Sequence, residues 1–559
     1  MFKQDIINSL AKETNLKKEE IERLIETPSN IGYGDYAFPC FVLSKKEKKN
    51  PVQIAEHLAR NLKPSEDIAK IIPMGPYVNF FIDKNKFAQQ IIKINSNYGR
   101  SNIGKKRKIV VDFSGPNIGK PMHIGHIRST IIGDSLMRIY NFLGYNSIGI
   151  NYLGDIGLHI GKLIVAYELW LNEEALKKDP VNELLRLYVK FCGKEKSEIQ
   201  EGVDEEFTNN EWTNKAKEKL KLLELGDKKT HKIWQEIQKH SGKGFNKVYG
   251  MLKIKFTETT GQSFFGKRGK EIILNAIEKN LAKSDEDGAV YVGEGDKKKF
   301  ILRSNKTASY ITYDIGAAVE RYKKYKFDKM IYVTDFRQID HFKQLFNILN
   351  LFGCDFTDKL NHLSFGTVKF GNEIIATRKG EIILLEDVLR KTIEKAEKEI
   401  KKRKTKGDPE IVGVGAVKYV ILKNKPAEDV SFSWDLLNFE GNTAPYLQYS
   451  YARASSILKK AKNFNKKNTK ISDLADSEIK LIKKLAEFPE VIVHAEKALN
   501  PSLIANYSFE LAKTFSEFYT TCRVLGSKEE AFRLRLIEAF RTTLKNSLYL
   551  LGIEVMDEM

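Results

Sequence analysis

The spacing of apolar residues changes period several times along this chain, and each change marks an element. Ile6, Ile7 and Leu10, then Ile21, Leu24 and Ile25, recur at helical spacing and predict two amphipathic helices. Residues 51–62 predict a third, with Asn50 as N-cap and Pro51 at the first helical position. Residues 71–82 alternate around Gly75-Pro76 and predict a hairpin. The apolar run Ile109-Val110-Val111 is a strand that ends in Asp112 and Ser114 and breaks at Gly115-Pro116. Beyond Pro121, apolar positions at Ile127, Ile131, Leu136, Ile139, Tyr140 and Leu143 return to helical spacing. Strand, tight polar turn and helix is the arrangement with which open α/β sheets bind nucleotides at their carboxyl edge.

Residues 165–300 are rich in charged helices, with short β segments at 288–292 and 300–302. Small residues after Asp314 predict the start of a closely packed helix, with an N-cap as the alternative use of Asp314. Residues 329–333 predict a second strand, running into the polar stretch 334–341. If both strands end on one edge, their polar ends converge on one pocket. From about residue 440 the pattern is helical to the last residue. Leu511, Phe515, Phe518 and Tyr519 read as bundle core.

A length of 559 residues allows several full cores. The formal charge of +20 fits a polyanionic partner, although a general lysine bias would give the same figure. Cys40, Cys192, Cys354 and Cys522 are widely separated and form no C-x-x-C pair. No protein-bound zinc is therefore expected, and a reducing cytoplasm fits. Asp5, Glu13, Glu19 and Glu20 argue against a transit peptide, and no apolar run reaches membrane-spanning length. A cytoplasmic protein without a membrane partner is expected.

The turn itself has legible chemistry. Gly125 removes a side chain where a base or phosphate would approach the backbone. His123 and His126 are three apart and can face one side of the incipient helix. Their ring N–H groups, the free amides of a first helical turn and the charge of Lys120 suit a triphosphate under attack at its α-phosphorus. A buried histidine pair beside a basic loop is the plainer alternative.

The string from Ser114-Gly115-Pro116-Asn117 through Lys120-Pro121-Met122-His123-Ile124-Gly125-His126-Ile127-Arg128-Ser129-Thr130 to Gly133-Asp134 resembles the ATP signature of class I aminoacyl-tRNA synthetases. It is most similar to the arginyl-tRNA synthetase family, and the likeness extends over nearly the whole chain. The resemblance implies a multi-domain α/β and all-α protein. An N-terminal α+β domain that touches tRNA would occupy 1–100, and a Rossmann-like catalytic domain 101–365, with an insertion at about 165–300. A connecting region with a K-M-S-K-S-like loop would occupy 366–440, and a helical anticodon-binding bundle 441–559.

It also implies the activity: ATP-dependent activation of L-arginine to the adenylate, then transfer to the 3′ end of tRNA(Arg), with AMP and pyrophosphate released. Magnesium would accompany the nucleotide, activation would draw on bound tRNA, and a monomer is expected. Carried over by motif, His123, His126, Lys120, Arg378 and Lys379 are the catalytic candidates. Met122, His123, Gly125, His126 and Lys379 would hold ATP. Asp112, Ser114, Asn117, His126, Tyr310, Asp314 and Gln338 would hold arginine. A guanidinium is a planar fork of donors that paired carboxylates match, whereas lysine has no fork and citrulline no charge.

For tRNA, Tyr36 and Tyr77 come from the Gly-Asp-Tyr-Ala and Gly-Pro-Tyr-Val-Asn-Phe strings. Tyr446, Gln448, Tyr449 and Arg453 come from the string at 443–454. For each of these, a place in the core is the competing reading. Trp234, Tyr249 and residues 260–265 also resemble family positions, and packing is the role expected of them. The chain departs from the family at Ile156, where Trp is usual, at His159, where Gln is usual, and in the loop around Arg378, which has only one of the motif's two lysines. Two other classes compete with this reading: a tRNA-binding paralogue without activity, and a small-molecule nucleotidyltransferase. The intact histidine turn and pocket carboxylates argue against the first, and the long helical C-terminal part against the second.

Overall fold

The computed structural model describes residues 2–28, 31–65, 67–196, 210–294, 298–304, 307–370, 373–374, 383–433, 437–461, 471 and 473–559. Its contacts divide into two compact units. The larger comprises Asn97–Ser456, Phe488–Ala512 and Thr543–Met559, and the smaller comprises Met1–Ser96, Ile457–Glu487 and Lys513–Thr542. The helices expected as one bundle at 441–559 thus contribute to both.

The larger unit is built on a parallel sheet of five strands: β1 (Lys108–Asp112), β2 (Asn146–Leu153), β3 (Glu258–Gly261), β4 (Lys329–Asp335) and β5 (Leu360–Phe365). Their spatial order is β5-β4-β1-β2-β3. Ile109, Val110 and Val111, like Met330, Ile331, Tyr332 and Val333, are buried, as the unbroken apolar runs require of strands covered on both faces. The order of strands reverses between β1 and β4. Such a switch opens a crevice at the carboxyl ends, which is where this fold class takes its ligands. β3 lies inside the span read as an insertion, yet it is an edge strand of the central sheet. Its sequence, Glu-Thr-Thr-Gly, has no apolar alternation to announce it.

Four helices of this unit matter for the site: α1 (Ile127–Phe142), α2 (Lys228–Leu252), α3 (Tyr310–Tyr325) and α4 (Ile339–Leu351). α1 is buried along most of its length, because it packs on the sheet and also receives the segment around Leu550. α3 begins at Tyr310, earlier than the small residues suggested. Ser309 and Thr312 form a reciprocal capping box, so Ser309, not Asp314, is the N-cap.

In the smaller unit, a three-stranded antiparallel sheet of Tyr36–Pro39, Tyr77–Ile82 and Ile68–Met74 packs on the N-terminal helices. The helix Pro51–Asn61 starts as expected, with Asn50 Oδ1 accepting from the Val52 amide at 2.9 Å. No helix among the described residues is long and apolar enough to cross a membrane.

Candidate active site

Leaving β1, the chain turns through two consecutive left-handed residues, Ser114 (φ 74°) and Gly115 (φ 56°). A left-handed serine is strained and needs support. Here the Ser114 amide donates to Ser129 Oγ (2.8 Å), and the Gly115 amide donates to Asn151 Oδ1 (3.1 Å). Ser129 Oγ in turn donates to the Val333 carbonyl near the end of β4 (2.6 Å). The loop after β1 is thereby fixed to both neighbouring strands.

The histidine turn is a short 3₁₀ segment, Ile124–His126, leading into α1. Each ring closes a contact with its own backbone. His123 Nδ1 accepts from the Gly125 amide (3.1 Å), and His126 Nδ1 accepts from the His123 amide (3.2 Å). The ring centroids are 4.0 Å apart. A nitrogen that accepts carries no proton, so in each neutral ring the proton sits on Nε2. Burial, with Lys120 and Arg337 nearby, pulls the His123 pKa down to about 4. Burial and the neighbouring His123 pull His126 down to about 3. The pair is therefore neutral at physiological pH and presents two Nε2–H donors.

Lys120 lies over the Tyr188 ring, 4.2 Å from its centroid. Met122 is buried, and its carbonyl accepts from the Leu385 amide (2.9 Å), while the Ile124 amide donates to Ile383 (3.2 Å). Residues 383–385 therefore run against the histidine turn. Arg378 and Lys379 fall outside the described residues. Arg128, completely buried on α1, donates to the carbonyls of Gly366 (3.2 Å), Lys425 (3.2 Å) and Glu428.

The acidic side of the site lies on the same edge of the sheet. Asp112, at the end of β1, is bonded to Arg321 of α3, with Oδ2 to Nη1 at 2.7 Å. Burial pushes the Asp112 carboxyl up, and the Arg321 charge pulls it back. The expected second carboxylate for a substrate guanidinium thus already holds one from the protein itself. Asp314, two turns before Arg321 on α3, pairs through Oδ2 with His341 Nε2 of α4 at 2.6 Å. Gln338 is exposed at the start of α4, and Tyr310 is 51% exposed at the start of α3.

Asn117 bridges to Gly154, where an added Cβ would sit 1.8 Å from Asn117 Oδ1, so a larger residue there would displace the Asn117 side chain. Asn117, Lys120, Gly157, His159 and Tyr310 share the lining of one cavity of about 280 Å³. His159, one of the departures, contacts the Gly154 carbonyl through Nε2 at 3.3 Å, and Ile156, another, is buried.

The tRNA candidates divide by exposure. Tyr449 is 40% exposed, while Tyr446 packs edge-on to Phe509 and Arg453 is half-buried. Gln448 is completely buried, with Nε2 donating to Ile411 (3.1 Å) and Glu554 (2.9 Å). That amide ties main chains together and is not presented to RNA, which corrects its expected role. Tyr36 is half-buried beside the N-terminal core, and Tyr77 meets Phe41 edge-on. Among the described residues no cluster of His, Cys, Asp and Glu could hold a metal ion.

The model of tRNA synthetases class I (R), catalytic domain, matches residues 88–434. The chain belongs to the arginyl family of class I tRNA synthetases. Models of the family's other parts also match this synthetase: the arginyl tRNA synthetase N-terminal domain at 1–82 and the DALR anticodon binding domain at 447–559. It is 39% identical to the arginine–tRNA ligases of Clostridium beijerinckii and Clostridium perfringens, over the full length of all three chains. The arginyl-tRNA synthetase of Plasmodium falciparum superposes with a TM-score of 0.81 at 26% identity, covering 100% of this chain and 98% of the other. That of Thermus thermophilus gives 0.81 at 23% identity, covering 100% and 99%, a likeness of fold.

Motif reading passed over the arginines and hydroxyls that support the site: Arg128, Arg321, Ser129 and Tyr249. Tyr249 had drawn notice only as a family-like position, with packing as its expected role. Its hydroxyl lies 2.8 Å from Ser114 Oγ.

Proposed function

We infer that this synthetase is an arginine–tRNA ligase. The arginine carboxylate attacks the α-phosphorus of ATP, a P–O bond forms, and the bond to the β-phosphate oxygen breaks, releasing pyrophosphate. A terminal ribose hydroxyl of tRNA(Arg) then attacks the activated carbonyl, and AMP leaves. Both first-step reactants are anionic, so the protein's work is positioning and charge stabilisation.

The observation that carries this reading is the neutral imidazole pair at the strand switch. Its Nδ1 atoms are occupied by backbone amides, so both Nε2–H groups are committed as donors. In this reading His123 and His126 donate to the phosphates as charge shifts to the leaving group. Lys120, Arg378 and Lys379 neutralise the triphosphate, which arrives with its magnesium, and Met122 and Gly125 shape the nucleotide seat. Asp314 accepts the substrate guanidinium with the oxygen that His341 leaves open. Tyr310, Asn117 and Gln338 hold the rest of the amino acid. Ser114 and Asp112 act through the loop and through Arg321. Tyr36, Tyr77, Tyr446, Tyr449 and Arg453 belong to the tRNA-facing surface. The protein acts as a cytoplasmic monomer.

The test is aminoacylation of matched tRNA with arginine, lysine or citrulline, together with ATP–pyrophosphate exchange with and without tRNA. Product is expected with arginine alone. No product, on a tRNA that a control enzyme charges, would overturn the reading.

A further inference from the structure

α2 lies within the span that reads from sequence as a charged insertion, yet four of its side chains hold the loops of the site. Trp234 Nε1 donates to the Asp155 carbonyl (2.7 Å), and Gln238 Nε2 donates to Asp155 Oδ2 (3.4 Å). Ser241 Oγ accepts from the Gly119 amide (2.8 Å), just ahead of Lys120. The Tyr249 hydroxyl meets Ser114 Oγ (2.8 Å) and accepts from Asn151 Nδ2 (3.2 Å). At 100° per residue these four positions fall within an arc of roughly 80°, so a straight helix presents them on one face. Asp155, Gly119 and Ser114 are loop residues at the carboxyl edge of β2 or β1, and Asn151 lies on β2 itself, so one rigid rod sets the spacing between two loops.

From Tyr249 the connections continue into the turn. Thr130 Oγ1 lies 2.9 Å from Ser114 Oγ and 2.8 Å from the His126 carbonyl. Tyr249, Ser114, Thr130 and His126 thus form one chain of polar contacts, and Ser114 is the residue in a strained left-handed conformation. Burial pushes the Tyr249 phenol up to about 12, so it keeps its proton throughout the working pH range. Its ring packs edge-on to Phe256, with centroids 4.9 Å apart. Removing the hydroxyl alone therefore leaves the packing in place.

We propose that Tyr249 and Ser241 are positioning residues for amino-acid activation, with α2 serving as the template that fixes the Ser114 and Gly119 loops relative to the histidine turn. The proposal rests on the ligase reading above and names how that same site is held. Neither residue touches substrate. Their contribution is to the register between the α-phosphorus and the Nε2 donors, and misplacement on the ångström scale costs about ten- to a hundredfold in rate.

The experiment is ATP–pyrophosphate exchange with the full chain and tRNA, with rates normalised to titrated active sites, for Y249F, S241A, S114A and the double variant Y249F/S114A. Y249F should lower kcat about ten- to a hundredfold, with arginine KM changed less than twofold and the melting temperature nearly kept. S241A should act in the same direction. In the S114A background, Y249F should have little further effect, because both substitutions break the same contact. An unchanged kcat in Y249F, or effects that multiply fully in the double variant, would overturn the proposal. A wild-type chain without arginine-dependent exchange would instead sink the ligase reading, and that result is read separately.

Discussion

Two histidine contacts in this molecule are built in opposite ways. In the turn, His123 and His126 are held by amides two and three residues away, and the chain itself aims their outer edges. In the acidic pocket, His341 meets Asp314, and Arg321 meets Asp112, across 27 and 209 residues of sequence. The first arrangement is local and complete once the turn forms. The second exists only after β1, β4, α3 and α4 have assembled. In the proposed function, local preorganisation serves the reaction common to any amino acid, and long-range assembly serves the choice of which one.

The contrast breaks in measurable ways. The largest effect is expected from Arg321→Met, which leaves Asp112 buried beside an empty space. The cost is about 3–5 kcal/mol of stability, read by chemical denaturation, with much of it restored in the double variant with Asp112→Asn. A cost under about 1 kcal/mol would show that this pair does not organise the pocket. Next comes His126→Asn, whose amide oxygen can still accept from the His123 amide while the Nε2 donor is lost. Activation kcat should fall roughly 10²–10³-fold with arginine KM little changed. A mutant that keeps its rate and loses affinity for arginine would reverse the division between turn and pocket.

Asp314→Asn should do the converse. Loss of a charge-assisted bond of about 1.5–3 kcal/mol raises arginine KM roughly ten- to a hundredfold, with ATP KM unaffected. Acid stability tests the turn from the other side. His123 and His126 are held below the ordinary histidine value, so the unfolded chain binds protons that the folded chain refuses. Their contribution is intact above about 6.5 and is lost as pH falls towards about 4 and below. The urea midpoint should decline across that window, and His126→Asn should flatten the decline.

What could be read beforehand follows the same division. The turn, β1, β4 and the helix starting at Pro51 were legible, because their residues are contiguous and each carries its own stop or start signal. The pocket was legible only as separate pieces. Asp314 resembled a cap because a carboxylate near a helix start usually is one, but Ser309 and Thr312 already close that end. The bond from Asp112 to Arg321 could not be inferred, because nothing in the neighbourhood of either residue points to the other. α2 was passed over because Gln238 and Ser241 look like solvent-facing residues and Tyr249 was expected only to pack. Their partners are backbone, carboxylate, hydroxyl and amide groups of distant segments, which leave no mark in apolar periodicity.

Arg128 carries one further consequence. It stands two residues past His126, and it grips the chain where it departs at Gly366 and where it comes back at Lys425 and Glu428. Both ends of the span 367–424 are thus tied to one side chain of α1. In the proposed function that span includes the two side chains that neutralise the triphosphate, and one guanidinium moors it to the helix headed by the histidines. A lysine, which has no fork to span three carbonyls, could not replace the arginine that joins them.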